Sequence, residues 1–241
     1  MICLTFDTDH LDDARLTEFL AAHRIPGKAT FFCTRQFAVL GSTDHEMAPH
    51  PLLEAGTDWT AVLQTMRRMF PAATGWRSHS CVFSHLLARW LGENGYCYAS
   101  TEERFGQVGI RPTRHPMGTV WQLPIYYMDT FDISRQVFWT GSENHPFDKK
   151  LISRALGAEG IHVFDFHPVH VMLNTPHPEF YLSARERFRA GEAIQQLRYQ
   201  GYGVGTFLQE LCDQMRAAGA PSLGIAEALA LYINSSAHNP G

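Results

Sequence analysis

The strongest constraint on the fold lies in the first 34 residues. "ICLTF" (residues 2–6) is short, apolar and rich in β-branched and aromatic side chains, so it reads as a strand. "DDARLTEFLAAHRIPG" then carries Leu16, Phe19 and Leu20 at helical spacing and ends on a Pro-Gly stop. "KATFFCT" is a second strand. A strand, a short helix and a strand with brief links form a βαβ unit, and such a unit makes a parallel sheet.

The alternation continues. "HEMAPHP" is a short third strand cut off by Pro51, and "DWTAVLQTMRRMF" is a helix with Asp58 as its N-cap. "GWRSHS" is a strand end before the helix "SHLLARWLGENG", and "YCYAS" opens another strand. "TVWQLPIYYMDTF" is extended, with Pro124 favouring an irregular or edge position. "KKLISRALGAEG" is helical, and "GIHVFDFHPVHVML" is the strongest strand signal. Ser183-x-x-Glu186 reads as a capping box that opens a helix to about residue 198. "YGVGTF" reads as a last strand before the helix "FLQELCDQMRAAG". Strand–helix alternation over some 210 residues predicts an α/β domain, either a β/α barrel or an open parallel sheet. A helix over 221–233 and a mobile tail over 234–241 follow residues 1–220.

Several function classes drop out. A net charge of −4 gives no basic footprint for nucleic acid. No apolar run reaches the ~18–20 residues that span a bilayer, and no secretion signal is evident, so a cytoplasmic location is expected. Five cysteines with no C-x-x-C pair read as buried thiols. No G-x-G-x-x-G or Walker loop follows the first strand. The sequence says nothing about oligomeric state.

Thirteen histidines are a different matter, because several fall with acids at strand ends. In β/α barrels the chemistry collects at those ends. They supply Asp7, Asp9 and His10; His45, Glu46 and His50; Arg77 and His79; Asp129 and Asp132; and Asp165, His167 and His170. Singly, each has an ordinary explanation: a turn acid, a surface histidine before a proline, a hydrogen-bonded core imidazole. Together they fit a divalent-metal site with a separate acid–base pair, since a cation would relieve the repulsion between Asp7 and Asp9.

These stretches resemble the polysaccharide deacetylases with a NodB-homology domain, carbohydrate esterase family 4 in the broad sense. The resemblance covers about residues 1 to 212. "LTFDTDH" is similar to the first motif, "KATFFCT" to the following strand, and "HEMAPHP" to the "HEIGxH" segment. "GWRSHS" resembles the "GfRaP" motif, "WQLPIYY" the "ELP" stretch, and "FDFHPVH" the last motif. The ending "HPVHVMLNT" is closer to the O-antigen-associated, WbmS-like branch than to the secreted chitin or peptidoglycan enzymes. The resemblance implies a single-domain α/β fold, a distorted (β/α)7-type barrel of the NodB-homology kind. It implies Asp7 as catalytic base, Arg77 as the group that orients it, His167 as general acid, and Asp9 and His50 as metal ligands.

One departure stands out. The family's second metal histidine follows the first by four residues, and Glu54 occupies that place here. His79 is the favoured third ligand and Glu54 the alternative. The expected ion is Zn²⁺, with Co²⁺ or Ni²⁺ as substitutes. Asp165 is expected to hold the His167 imidazole, and Trp76, Tyr126, Tyr127 and Asp129 to meet substrate, although the aromatics could equally be core. His45, His170 and His10 are expected as supports around the ion. The implied activity is hydrolysis of an N-acetyl or N-formyl group from an amino sugar of a polysaccharide or its precursor. Two alternatives stay open: hydrolysis of a small cyclic or linear amide, as in allantoinase-like relatives, and sugar binding without catalysis.

Overall fold

The computed structural model describes residues 1–138 and 146–237. The elements run β1 (Ile2–Asp7), α1 (Asp13–Ala22), β2 (Ala29–Cys33), β3 (Glu46–Pro49), α2 (Trp59–Met69), β4 (Gly75–Trp76), α3 (His85–Glu93), β5 (Tyr98–Ala99), β6 (Thr113–Arg114), β7 (Trp121–Gln122) and β8 (Ile125–Met128). They continue with α4 (Asp129–Phe138), α5 (Lys150–Gly157), β9 (His162–Phe166), α6 (Pro168–Leu173), α7 (Pro178–Arg189), α8 (Ile194–Leu197), α9 (Val204–Ala217) and α10 (Ile225–Ala237). Residues 234–237, expected in the tail, are instead the last turn of α10, and residues 238–241 lie outside the described residues.

Five strands form a parallel sheet in the order β3-β2-β1-β9-β8, and four form a second in the order β4-β5-β7-β6. Among the named strands, only the β6–β7 pair is antiparallel. The first βαβ expectation holds: β1 and β2 pair in parallel through Leu4–Ala29 to Asp7–Phe32. Asp12 caps α1 by accepting from the Arg15 amide at 2.8 Å, and Asp58 caps α2 by accepting from the Ala61 amide at 3.2 Å.

Side chains alternate across each strand. Ile2, Leu4 and Phe6 of β1 join the large core under the helices, with Phe31 from β2 and Phe164 and Phe166 from β9. Residues of the other face (Cys3, Phe32, Ala48 and Val163) pack with Tyr98, Leu123 and the α10 residues Ile225, Ala228 and Leu229. On that same face of β1, toward its carboxyl end, come Thr5 and Asp7. Two hydrogen bonds seat α10: Ile225 N–H to Thr30 Oγ1 at 2.9 Å and Ala226 N–H to Glu46 Oε2 at 3.1 Å.

Three sequence expectations are corrected. "YGVGTF" is no strand: Gly203 caps the N-terminus of α9. A Cβ on Gly203 would stand 2.1 Å from the Asn174 carbonyl oxygen, so its alternation with Gly205 records a close approach of α9 to the end of α6. Ser183 opens no helix but lies inside α7, whose cap is His177. The "FDFHPVH" strand stops at Phe166, because Pro168 starts α6 with His167 as its N-cap. Among the described residues, no helix is long and apolar enough to cross a membrane.

Candidate metal and acid–base site

Strand ends β1, β3, β4 and β9 bring Asp7, Asp9, His50, Arg77, His79 and His167 together. The Asp9 carboxylate stands among three imidazoles. Its Oδ2 is 3.1 Å from His50 Nε2 and 3.7 Å from His167 Nε2, and its Oδ1 is 3.2 Å from His79 Nδ1. One ligand-type atom each from Asp9, His50 and His79 lies within 4.8 Å of the others. Burial would raise the Asp9 carboxyl, but hydrogen bonds from His50 and His79 and the nearby imidazole charges hold it far below the usual carboxylate range.

The orientation of His50 suits a cation. Its Nδ1–H donates to the Arg77 carbonyl at 3.0 Å and its Nε2–H to Asp9 Oδ2 at 3.1 Å, so Nε2 is the atom that would give up its proton to hold an ion. Two imidazoles and a carboxylate are the donor set that Zn²⁺-class ions take, so these residues fit such an ion. Glu54 is not part of the group. It is exposed on the loop before α2, and its carbonyl accepts from Thr57 Oγ1 and Trp59 Nε1.

Arg77 is fully buried beneath this cluster and stacks over the Phe32 ring at 4.1 Å. Its Nη1 donates to Asp7 Oδ1 at 2.9 Å and to Thr5 Oγ1 at 3.0 Å, and it pairs with Asp165 Oδ1. Nε and Nη2 donate to the Ser100 carbonyl and hydroxyl at 2.8 and 2.9 Å. Asp7 therefore has Oδ1 pinned, while its Oδ2 stands 3.6 Å from His50 Nε2 and faces the cluster.

Asp165 does not hold His167, contrary to expectation. It belongs to the Arg77 group, accepting from Thr5 Oγ1 at 2.8 Å, because the parallel register sets it beside Thr5 on the same face of the sheet. Burial, with Asp7 adding to it, pushes its carboxyl up against the pull of Arg77. The partner of His167 is Asp129, expected at the substrate but fully buried at the start of α4. Asp129 Oδ1 accepts from His167 Nδ1 at 2.8 Å and Oδ2 from the His167 backbone N–H at 2.7 Å. Burial opposes the imidazolium, yet the Asp129 charge and hydrogen bond, with Asp7 and Asp165 beyond, push His167 up to about 10.

The expected aromatic platforms are core. Trp76 packs edge-on against Tyr96, the Tyr126 hydroxyl donates to the Leu151 carbonyl at 2.8 Å, and Tyr127 packs on Phe166 and Phe207. Large aromatics on short, fully buried strands are taken up by the interior before they can reach the mouth. His45 also lies away from the site. It precedes β3 while His50 follows it, and its Nδ1 accepts from the Ala29 amide at 3.3 Å. His170 packs behind His167, its ring 5.8 Å away, and burial pushes it down to about 4. His10 stands exposed at the rim with its backbone at φ 61°, and both ring nitrogens lie 3.4 Å from Arg189 Nη2.

A cleft of about 410 Å³ opens above Asp7, His50, His79 and His167. Its other walls were not foreseen: Ser80, Cys81 and Glu103 on one side, Met128, Thr130, Phe131 and Ser134 on the other. Phe131 lies near a strand end in the sequence, and Glu103 follows β5 closely enough to belong with the strand-end acids.

The sequence model of a family described as "WbmS-like: Polysaccharide deacetylase" matches residues 4–185. No curated protein matches the sequence. A crystal structure from Bordetella bronchiseptica, of a protein assigned as a polysaccharide deacetylase involved in O-antigen biosynthesis, is similar at 26% identity and a TM-score of 0.74. The match covers 88% of this chain and 90% of that one. A second, from Mycobacterium smegmatis and assigned as a polysaccharide deacetylase, shares 17% identity over 92% of each chain, with a TM-score of 0.46 too low to build on.

Proposed function

This chain belongs to the WbmS-like polysaccharide deacetylase family, and from that membership we propose that it hydrolyses the amide of an N-acetylated or N-formylated amino sugar in a polysaccharide or its precursor, with a divalent ion at Asp9, His50 and His79. One observation carries the reading. The three ligand-type residues stand directly beside a carboxylate with one oxygen facing them and an imidazole with its Nε2 facing them, each fixed from behind by a buried partner. When bound, a Zn²⁺-class ion supplies a Lewis acid that polarises the acyl carbonyl and makes a water more acidic near neutral pH.

The chain's own residues do the rest. Asp7 Oδ2 takes a proton from the attacking water, while the Arg77 bond at Oδ1 keeps the carboxylate aimed. Asp129 stabilises the imidazolium of His167 and occupies its Nδ1–H, so Nε2–H is the proton that can pass to the leaving amine. Sugar binding without catalysis would call for neither arrangement. Thr130, Ser134 and Glu103 offer hydrogen bonds to hydroxyls, and Met128 and Phe131 offer an apolar wall.

The same reading takes the two sheets as arcs of one distorted (β/α)7-type barrel. In its support, Arg77 N–H donates to the Pro49 carbonyl at 3.3 Å at the β3–β4 edge. Ile125 N–H donates to the Glu102 carbonyl at 2.7 Å, from β8 to the segment after β5. The cluster around α10, drawing on strands of both sheets, is the interior such a barrel would have.

The test is release of free amine from N-acyl sugars by the Zn²⁺-loaded protein. Turnover lost in Asp7→Ala and His167→Ala, with the ion retained, is expected. Unchanged turnover in Asp7→Ala would remove the base assignment.

A further inference from the structure

We propose that a separate cavity of about 420 Å³, framed by α1, α6, α8 and α9, is a binding site for a phosphate group, with Arg198 as its anchor. This cavity shares no lining residue with the cleft above Asp7 and His50. The site stands whether or not the chain is a hydrolase.

The charge of Arg198 is the starting point. The side chain follows α8 and is half-buried in the cavity wall. Its Nη1 donates to the Val171 and Met172 carbonyls at 3.3 and 3.1 Å, at the C-terminal end of α6. A cation suits that helix end, but the carbonyls carry no net charge to neutralise it. Among the described residues no carboxylate pairs with the guanidinium, and burial alone pushes its pKa down. A charge drawn partly out of water is stabilised by a counter-charge, and none is built in.

Capping α6 uses Nη1 alone. Among the described residues Nη2 makes no hydrogen bond, and the space beside it is kept open by Gly205, whose Cβ would stand 3.0 Å away. A planar guanidinium with one edge committed and the other open is the shape that grips a phosphate.

The remaining walls suit the same ligand. Gln195 is exposed at the rim, and its amide makes no hydrogen bond among the described residues. His23 donates from Nδ1–H to the Phe19 carbonyl at 2.9 Å, so Nε2 is the nitrogen left for a ligand. Glu18 is the acid on the wall, and Arg15 Nη1 answers it at 2.8 Å. The charge left over is therefore that of Arg198. Met172 and Ile194 are buried and add an apolar floor. The volume lies within the ~300–1,000 Å³ of small-molecule sites, so the carbon part of a phosphate ester has room beside its phosphate.

The test is a calorimetric titration of the full chain with inorganic phosphate, ribose 5-phosphate and ribose, repeated on Gln195→Glu and Arg198→Gln. Wild type should bind at least one of the two phosphates with a Kd of about 1 mM or tighter, and ribose not measurably. Gln195→Glu keeps the shape of an exposed side chain and sets a negative charge at the rim, so it should weaken binding at least about tenfold. Arg198→Gln should weaken it as much, and Gln195→Glu keeps the test decisive if losing Arg198 unseats α6. Tighter binding of the ester than of inorganic phosphate assigns the group to a phosphorylated small molecule, and equal affinity assigns it to the free ion. No phosphate binding by wild type overturns the site. So does binding that Gln195→Glu leaves unchanged, which would place the anion elsewhere, as at the imidazoles of the cleft.

Discussion

Both carboxylate oxygens of Asp129 are committed to His167, one to its ring Nδ1 at 2.8 Å and one to its backbone N–H at 2.7 Å. This double grip sets ring angle and tautomer together, and it explains why an acid at the start of α4 is fully buried. Asp129→Asn keeps the shape but can offer only one acceptor oxygen, so it should misplace or mis-protonate the ring. We expect kcat to fall about 10²–10⁴-fold, with KM and bound metal nearly unchanged. Steady-state kinetics with metal analysis of the same samples decides it. A fall in metal content would mean that Asp129 supports the ion site instead.

Metal content should divide the ligand candidates cleanly. Wild type should carry about one Zn²⁺-class ion per chain, and Asp9→Ala and His79→Ala should lose it. Glu54→Ala should keep it, because Glu54 is exposed and outside the cluster. Elemental analysis after gel filtration is the readout, and loss with Glu54→Ala would reverse the assignment of the third ligand.

Arg77 answers two buried acids, Asp7 and Asp165, and has no exposed atom of its own. Replacing it by methionine leaves both carboxylates without a cation, which should cost about 3–5 kcal/mol of stability at neutral pH. The sign of the pH effect follows. Without the guanidinium the Asp165 carboxyl, already pushed up by burial, loses the one charge that pulls it down most, so the folded variant binds more protons than wild type. Its deficit should shrink as pH falls from about 7, where Asp165 already titrates in wild type. Urea melts at pH 7 and 5.5 test this, and a deficit that grows in acid would contradict the account.

His162 offers a second pH test, well away from the cleft. Its ring is buried edge-on against Tyr126 at 5.1 Å, and burial, helped by the N-terminal charge, pushes it down to about 4. A folded pKa below the unfolded value of about 6.5 means the unfolded chain takes up the proton first. His162 thus contributes stability that is full above pH 6.5 and lost as pH falls toward 4. His162→Phe should flatten that part of the stability curve. Thermal melts of both proteins between pH 7 and 4 would show it as a difference that narrows or reverses in acid.

The βαβ opening and the residues at the cluster were legible because they depend on local pattern and on residue type at strand ends. Asp7, Asp9, His50, Arg77, His79 and His167 needed no more than that. What failed depended on direction. Asp129 and Asp165 both sit near His167, and only the β9 register, with Thr5 opposite Asp165, decides that Asp165 turns to Arg77. The aromatic residues were ambiguous because a strand buried on both faces shows no alternation to separate core from mouth. Pro168 was a visible stop within "FDFHPVH", outweighed by the apolar run around it.

The strand reading of "YGVGTF" fails for the same kind of reason, and its two alternating glycines make a sharp stability test. In a strand the alternation would be indifferent to a methyl group on one face. Here a Cβ on Gly203 would meet the Asn174 carbonyl at 2.1 Å, a backbone atom that cannot swing aside. Asn174 is itself held at φ 52° as the C-cap of α6, and its side-chain oxygen accepts from the Thr206 amide at 2.9 Å. Gly203→Ala should therefore prise α9 from α6 and cost on the order of 1–3 kcal/mol, the range for overpacking. Gly219→Ala is the control, at φ 62° with open space around its Cβ, where only the left-handed backbone penalty of about 1 kcal/mol applies. Denaturant melts of the two variants should rank Gly203→Ala as the more damaging, and equal losses would mean that α9 can retreat from Asn174 without consequence.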